Sequence, residues 1–186
     1  MGNLKILAIT TSIFVVLVLV VFAWTGNHTL NQAQVKNNSY PHIDPNPSTH
    51  VKSVELYYVD KDSTELVPVR EEISYTGRFE IKILEQLIEG PNNKALNPTI
   101  PKETKIISLD IVDKIAFVNF SKDIQSKHWG GSASEMFTVE SIVYTLTQFD
   151  DIDSVQILIE GRKLETLLGH VYIMDPLSRK DTFIGN

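Results

Sequence analysis

The sequence contains no cysteine, and this absence removes several kinds of chemistry. Without thiols there is no disulfide, no thiolate zinc site, no cysteine nucleophile and no lipid attached to cysteine. Histidine is also scarce: five are present, and no two of them stand in a helical H-x-x-x-H spacing. A zinc site is therefore not predicted.

The motifs of common enzymes are missing as well. The sequence has no G-x-S-x-G, no G-K-[ST] and no G-x-G-x-x-G, which are the signatures of a serine nucleophile and of phosphate-binding loops. Asp150, Asp151 and Asp153 cluster in a predicted turn with Glu160 nearby, and aspartate in a turn is favoured for local hydrogen bonding. We expect a protein that is not an enzyme, with no catalytic residue, no cofactor and no bound metal.

Positive charge is in short supply in the larger part of the chain. Residues 51–186 hold 15 of the 17 basic residues and 22 of the 23 acidic ones, which gives a net charge of −7. Binding to phosphate groups depends on Lys and Arg. Nucleic acid is therefore not expected as a partner, and anionic lipid headgroups are disfavoured.

One long apolar run dominates the amino-terminal part. Ile6 to Trp24 is uncharged and consists mainly of Val, Leu, Ile and Phe; as a helix it would be about 28 Å long, close to the hydrocarbon thickness of a bilayer. Residues 1–25 are predicted to be a membrane anchor, or an uncleaved signal, with residues 6–24 in the membrane. A cleaved signal peptide is the alternative, but the run is long for one and Trp24 makes a poor cleavage site.

The remaining chain divides into a linker and a domain. Residues 26–50 are rich in Asn, Pro, Ser, Thr and His and are predicted to be flexible, whereas residues 51–186 suffice for one domain with its own core. Lys5 before the apolar run favours an inside amino terminus. We therefore expect a single-pass protein of the cell membrane with an extracytoplasmic carboxy-terminal domain.

Within residues 51–186, strands and helices alternate in a readable order. Val51–Val59 and Leu66–Ile73 predict a hairpin across a short turn, and Pro68 either places the second strand at a sheet edge or gives it a bulge. A helix ending at Glu89 and a second hairpin, 105–112 with 115–120, follow; Ile107, Leu109 and Ile111 are expected to face inward. A last strand is predicted within residues 171–177.

Ser132 to Gly161 predicts a helix followed by a buried strand. Ser132 and Glu135 have the spacing of a capping box, and an apolar stripe follows at helical spacing. The members of that stripe are Val139, Ile142, Val143, Leu146 and Phe149. The order β-β-α-β-β-α-β predicts an α+β fold, a small mixed β-sheet with two helices packed on one face, preceded by the N-terminal transmembrane helix.

The candidate contact surface lies just before that helix. It comprises His128, Trp129, Gly130, Gly131 and Ser132, because an aromatic side chain beside flexible backbone is a common recognition surface. The exposed side of the 135–149 helix is expected to extend it. The alternative interpretations are that the glycines only let the chain turn, that His128 makes a partly buried polar contact, or that backbone N–H groups here bind an anion.

Several phrases together resemble the GerMN domain. They are VELYYVDKDSTELVPVREEI, ILEQLIEGPNNKALNPTIPKETKIISLDI, AFVNFSKDI, GGSASEMFTVESIVYTLTQF and VQILIEGRKLETLLGHVYIMDPL. The resemblance covers nearly all of residues 51–180. It implies an exported domain of sporulation and germination lipoproteins and other cell-envelope proteins, similar to ring-building modules, with no catalytic residues to carry over.

Two differences from that family stand beside the resemblance. The family's sporulation proteins are lipoproteins, and here the span at residues 6–24 would replace the lipid anchor. They also carry two such domains in tandem, whereas one fits within residues 51–186.

Two functional hypotheses follow. The first is a non-enzymatic, membrane-anchored module that acts in spore formation or germination through contacts with other envelope proteins or with copies of itself in oligomers or rings. The alternative is a module that binds peptidoglycan or carbohydrate, or assists its hydrolysis. There, Trp129, His128, Tyr57 and Tyr58 would stack on sugars while the acidic residues at 150–153 or 160 assist.

Overall fold

The computed structural model describes residues 49–181. The predicted anchor and most of the predicted linker lie outside these residues, so both remain predictions. Within residues 49–181, no helix has the length and apolar character that crossing a membrane requires.

The described chain forms six strands and three helices in nearly the predicted order. The strands are β1 (His50–Asp60), β2 (Leu66–Tyr75), β3 (Leu96–Asn97), β4 (Ile106–Val112), β5 (Ile115–Phe120) and β6 (Ser154–Ile159). The helices are α1 (Phe79–Glu89), the single turn α2 (Asp123–Ser126) and α3 (Ser132–Leu146). The α+β class is confirmed, with β3 and α2 as short additions.

The strands build two small sheets, so the prediction of one mixed sheet is wrong. One sheet has the order β2-β1-β3 and is antiparallel, and the other has the order β4-β5-β6, with β5 and β6 parallel. The reason lies at the second edge of β1, where β3 pairs with its end and the side chain of Gln148 occupies its middle. Gln148 accepts from the N–H of Glu55 and donates to the C=O of the same residue, both at 2.9 Å. This edge is therefore closed to β4 and β5.

Both long helices pack against both sheets, which replaces the predicted arrangement of helices on one face. Helix α1 contacts β1, β2 and β4, and α3 contacts β1, β6 and α1. The apolar side chains of all these elements form one core.

Helix α3 lies in the centre of this core. The predicted stripe is confirmed, since Val139, Ile142, Val143 and Leu146 are buried and Phe149 packs against them from the following turn. The opposite side of the helix is buried too, including Thr138, Ser141 and Thr145. The expectation of an exposed side is therefore wrong, because small, apolar and two glutamate side chains on all sides of α3 are buried in the core.

The second hairpin departs from strict alternation at one position. The register of β4 against β5 shifts between Ile106 and Ser108, so Ile107 sits in a bulge and is 51% exposed. Leu109 is buried and Ile111 is partly buried. A bulge adds one residue to one strand and reverses the faces on one side of it. The inward placement of Ile107 was therefore wrong.

The chain after β6 forms loops instead of the predicted last strand. Leu177 pairs with Val155 of β6 through two backbone hydrogen bonds of 2.8 Å, and Thr166 forms a single bridge to Tyr172. Arg179 then donates to the C=O of Tyr144 and to the hydroxyl of Tyr57. These contacts hold the segment across the edge of β6 and onto α3.

Candidate contact surface

The five predicted residues His128 to Ser132 form a continuous surface feature, here called the Trp129 patch. The chain leaves the single turn α2, passes Gly130 and Gly131 at φ values of +81° and +87°, and enters α3 at Ser132. Both glycines have open space where a Cβ would stand. Glycine is therefore favoured here by the left-handed backbone and not by close packing.

His128 ties the patch to the core. Its Nδ1 accepts a hydrogen bond from the N–H of Gly130 at 3.0 Å, so the ring hydrogen of the neutral imidazole is on Nε2 and is donated to the hydroxyl of Thr138 at 2.9 Å. Thr138 in turn donates to the carbonyl oxygen of Thr99. This chain of hydrogen bonds links the patch, α3 and the loop after β3, so the partly buried polar contact considered for His128 is confirmed.

The environment of His128 favours the neutral ring. Burial lowers the pKa of His128 below its usual 6.5, although the negative charge of Glu135 acts in the opposite direction. Protonation of Nδ1 would also displace the Gly130 N–H from its acceptor. The patch is therefore in its bonded arrangement when His128 is uncharged.

Trp129 is the exposed part of the patch. Its side chain is 56% exposed, and its ring stands 5.5 Å from the ring of His128 in a tilted arrangement. Since His128 is fixed by its two hydrogen bonds, it supports one side of the indole.

A cleft of about 310 Å³ borders the patch. Trp129, Ser134 and Phe137 form the wall on the side of α3. The opposite wall comes from the end of β1 with its turn (Val59 and Ser63) and from the segment 97–99 after β3. The cleft lies where the first sheet meets the amino-terminal end of α3.

Glu135 does not cap α3 as predicted. The residue that precedes the helix is Gly131, with no side-chain cap, and the carboxylate of Glu135 is fully buried. It accepts hydrogen bonds from the backbone N–H groups of Leu168, His170 and Val171 and contacts the Nδ1 of His170 at 2.9 Å. Burial raises the pKa of Glu135, but these bonds outweigh it, and the pKa lies below its usual 4.5. Glu135 therefore stays ionised and holds the loop after β6 against α3.

The residues predicted to assist in sugar binding are not brought together. Tyr58 is fully buried and Tyr57 is 8% exposed beneath Arg179, so neither offers a free ring face. Asp153 forms an exposed ion pair of 3.6 Å with Lys114, and Glu160 accepts from the backbone N–H of Lys122. The interpretation of these acids as solvated turn residues fits their contacts. Among residues 49–181, no three His, Asp or Glu side chains are grouped as a metal site would need.

Sequence patterns missed the residues that complete the cleft. Asn97 and Thr99 flank Pro98 in a segment whose prolines indicated an irregular loop. They reach the end of β1 only through the pairing of Val59 with Asn97. Ser63 has a φ of +57° in the turn of the first hairpin. A serine with a left-handed backbone conformation cannot be recognised from the spacing of apolar residues.

Comparison with known proteins agrees with this architecture. Residues 55–165 match the family model described as sporulation and spore germination. The spore germination protein GerM of Bacillus subtilis (strain 168) is 31% identical, over 68% of this chain and 35% of that protein. The chain thus spans about a third of the length of that curated relative.

Two solved structures are also similar. The tandem GerMN domains of the sporulation protein GerM from Bacillus subtilis are 28% identical with a TM-score of 0.63, over 71% of this chain and 48% of that one. The first GerMN domain of the same protein is 29% identical with a TM-score of 0.62, over 70% of this chain and 99% of that one.

These likenesses define the described part of the chain as an α+β domain of the GerMN type. The chain belongs to the sporulation and spore germination family, which confirms the resemblance found in the sequence.

Proposed function

We propose that this chain acts in spore formation or germination as a non-enzymatic module, held at the cell membrane, that works through contacts with other proteins of the cell envelope. Family membership supports the biological setting, and the name of the relative GerM points to germination. The predicted span at residues 6–24 would hold the domain at the membrane, and residues 26–50 would give it reach.

The observation that carries the contact role is the exposure of Trp129. An indole that is 56% exposed, supported from behind by a bonded histidine and followed by two glycines, has the character of an anchor residue at an interface. Tryptophan is enriched among the few side chains that dominate binding energy. The patch is therefore the surface through which a partner is expected to bind.

The outer edge of β4 is the surface proposed for self-association. Strand β4 pairs with β5 on one side only, and it exposes Ile107 and Val112 at 51% and 54%. The guanidinium of Arg78 donates a hydrogen bond to the carbonyl oxygen of Leu109, in the middle of β4. The two ends of the strand are therefore left open for contact with a second copy of the chain. Open strand edges readily add a further strand.

Crosslinking tests the contact role directly. A photoreactive residue is placed at Ser132 in the full-length protein in the membranes of spore-forming cells, and at Glu85 on the exposed side of α1 as the control. We expect Ser132 to capture an envelope protein that Glu85 does not, as read by mass spectrometry. Equal capture at both positions, or release of cell-wall fragments by the purified chain, would argue against the proposal.

A further inference from the structure

The cleft beside the Trp129 patch is chemically unusual for this domain because none of the described residues of its walls is charged. Residues 51–186 have a net charge of −7, yet every described residue that lines the cleft is uncharged. Removing a charged group from water without a partner of opposite charge is unfavourable. The cleft therefore suits an uncharged ligand.

The walls present hydroxyl groups that have no partner. Within residues 49–181, the side-chain hydroxyls of Ser63, Thr99 and Ser134 form no hydrogen bond. That of Thr99 matters most, because Thr99 is only 2% exposed and its Oγ1 is buried without a partner. Buried hydroxyls are nearly always bonded, and leaving one unpaired is costly. The Oγ1 of Thr99 is covered in this structure, so a polar ligand in the cleft would supply the missing partner after a small shift of the wall.

Some of the main-chain groups of the walls, by contrast, are already used. The N–H of Ser63 donates to the carbonyl oxygen of Asp60, the carbonyl oxygen of Thr99 accepts from Thr138, and Pro98 has no N–H. An extended peptide gains its affinity largely from main-chain hydrogen bonds with its receptor. These particular groups are therefore not available to a peptide strand.

We propose that the cleft binds a short, uncharged saccharide segment that carries acetamido groups. The face of a sugar ring would stack on the indole of Trp129, and its hydroxyls would bond to Ser63, Thr99 and Ser134. The apolar side chains of Val59 and Phe137 would receive the acetamido methyl group. A volume of about 310 Å³ is at the lower end for small-molecule pockets, which fits a short segment of a glycan.

The role inferred for the cleft is binding and not hydrolysis. Glycoside hydrolysis requires two carboxyl groups that flank the scissile bond, and none stands among the described residues of its walls. The inference goes beyond the proposed protein contacts, although Trp129 belongs to both surfaces.

The test is calorimetric titration of the full-length protein, in detergent micelles, with the tetramer of N-acetylglucosamine. Trp129→Ala is expected to weaken binding at least about tenfold, as loss of a stacking aromatic does. Tyr172→Ala is the matched control, since Tyr172 is an exposed aromatic (45%) outside the cleft walls. The chain has two tryptophans, so in a Trp24→Phe background the fluorescence of Trp129 should shift on titration.

Thr99→Val gives a second test, because it should weaken ligand binding without lowering the thermal stability of the domain. Because the hydroxyl of Thr99 has no partner within residues 49–181, its removal should leave the melting temperature unchanged or raise it. The same substitution should weaken tetramer binding about tenfold, the loss expected for one hydrogen bond to a buried group.

Absence of saturable tetramer binding, or equal binding by the wild type and Trp129→Ala, would overturn the inference. Loss of stability in Thr99→Val without loss of binding would overturn the assignment of its hydroxyl. Capture of a protein from Ser132 without any tetramer binding would contradict the saccharide site and support the proposed contact role. Tetramer binding without capture of a protein from Ser132 would support the saccharide site and contradict the proposed contact role.

Discussion

The imidazole Nδ1 of His170 lies 2.9 Å from the Oε2 of Glu135, and this contact joins the loop after β6 to the first turns of α3. The carboxylate is fully buried, whereas the side chain of His170 is 54% exposed. With three backbone N–H groups also donating to it, Glu135 holds residues 168–171 against α3. The position of this loop on α3 therefore depends on one buried carboxylate.

Glu135→Gln should destabilise the domain strongly. The amide would offer one acceptor where the carboxylate offers two, and its NH₂ group would face N–H donors. We expect a loss of about 2–4 kcal/mol in the free energy of unfolding, measured by urea denaturation. Glu85→Gln, on the exposed side of α1 with a surface ion pair to Lys82, is the control and should change it by less than about 0.5 kcal/mol. Similar values for the two variants would show that the buried carboxylate is not an anchor.

Acid should weaken the domain through the same group. The pKa of Glu135 in the folded state lies below its usual 4.5, so the unfolded chain takes up this proton first as the pH falls. The stabilisation is complete above pH 4.5 and is lost as the pH falls through the folded-state pKa. The slope of unfolding free energy against pH below 4.5 should therefore be shallower in Glu135→Gln than in the wild type.

Part of the pH dependence of the unfolding free energy will remain in Glu135→Gln. The backbone N–H of Glu65 lowers the pKa of Asp60, and the side chain of Ser178 lowers that of Asp181. Both groups lose their stabilising bonds in the same direction as the pH falls. Parallel slopes for the wild type and Glu135→Gln would contradict the assignment of the effect to Glu135.

Gln148→Leu should open the second edge of β1. The side-chain amide of Gln148 bonds both backbone groups of Glu55 and also donates to the carbonyl oxygen of Thr145. Loss of these bonds leaves part-buried backbone groups unpaired, and we expect about 1–3 kcal/mol of destabilisation. Hydrogen exchange at the Glu55 amide should accelerate more than exchange at Leu56, which belongs to the same strand. Unchanged protection of Glu55 would show that another group closes this edge.

Structural features that depend on residues close together in the sequence were predicted correctly. The stripe from Val139 to Leu146 and the hairpin of Val51–Val59 with Leu66–Ile73 follow from local patterns of apolar and turn residues, and the structure confirms them. Pro68 was placed correctly at a sheet edge, since β2 is the outer strand of its sheet.

What depends on distant residues was not predicted. Glu135 has the spacing of a capping residue, but its partners stand 33 to 36 positions away. The bulge at Ile107 changes faces without any turn residue to mark it. The cleft combines three segments that are separate in the chain, so only the pairing of β3 with β1 and the position of α3 bring Thr99 to Trp129.

The central claim is that the chain works through the Trp129 patch in spore formation or germination. It is tested most directly by replacing the chromosomal copy with Trp129→Ala or with Tyr172→Ala, at matched protein levels, and by counting heat-resistant spores and their germination. The account predicts a defect in the Trp129→Ala strain and none in the Tyr172→Ala strain. Equal yields of germinating spores in the Trp129→Ala strain and the wild type would contradict it.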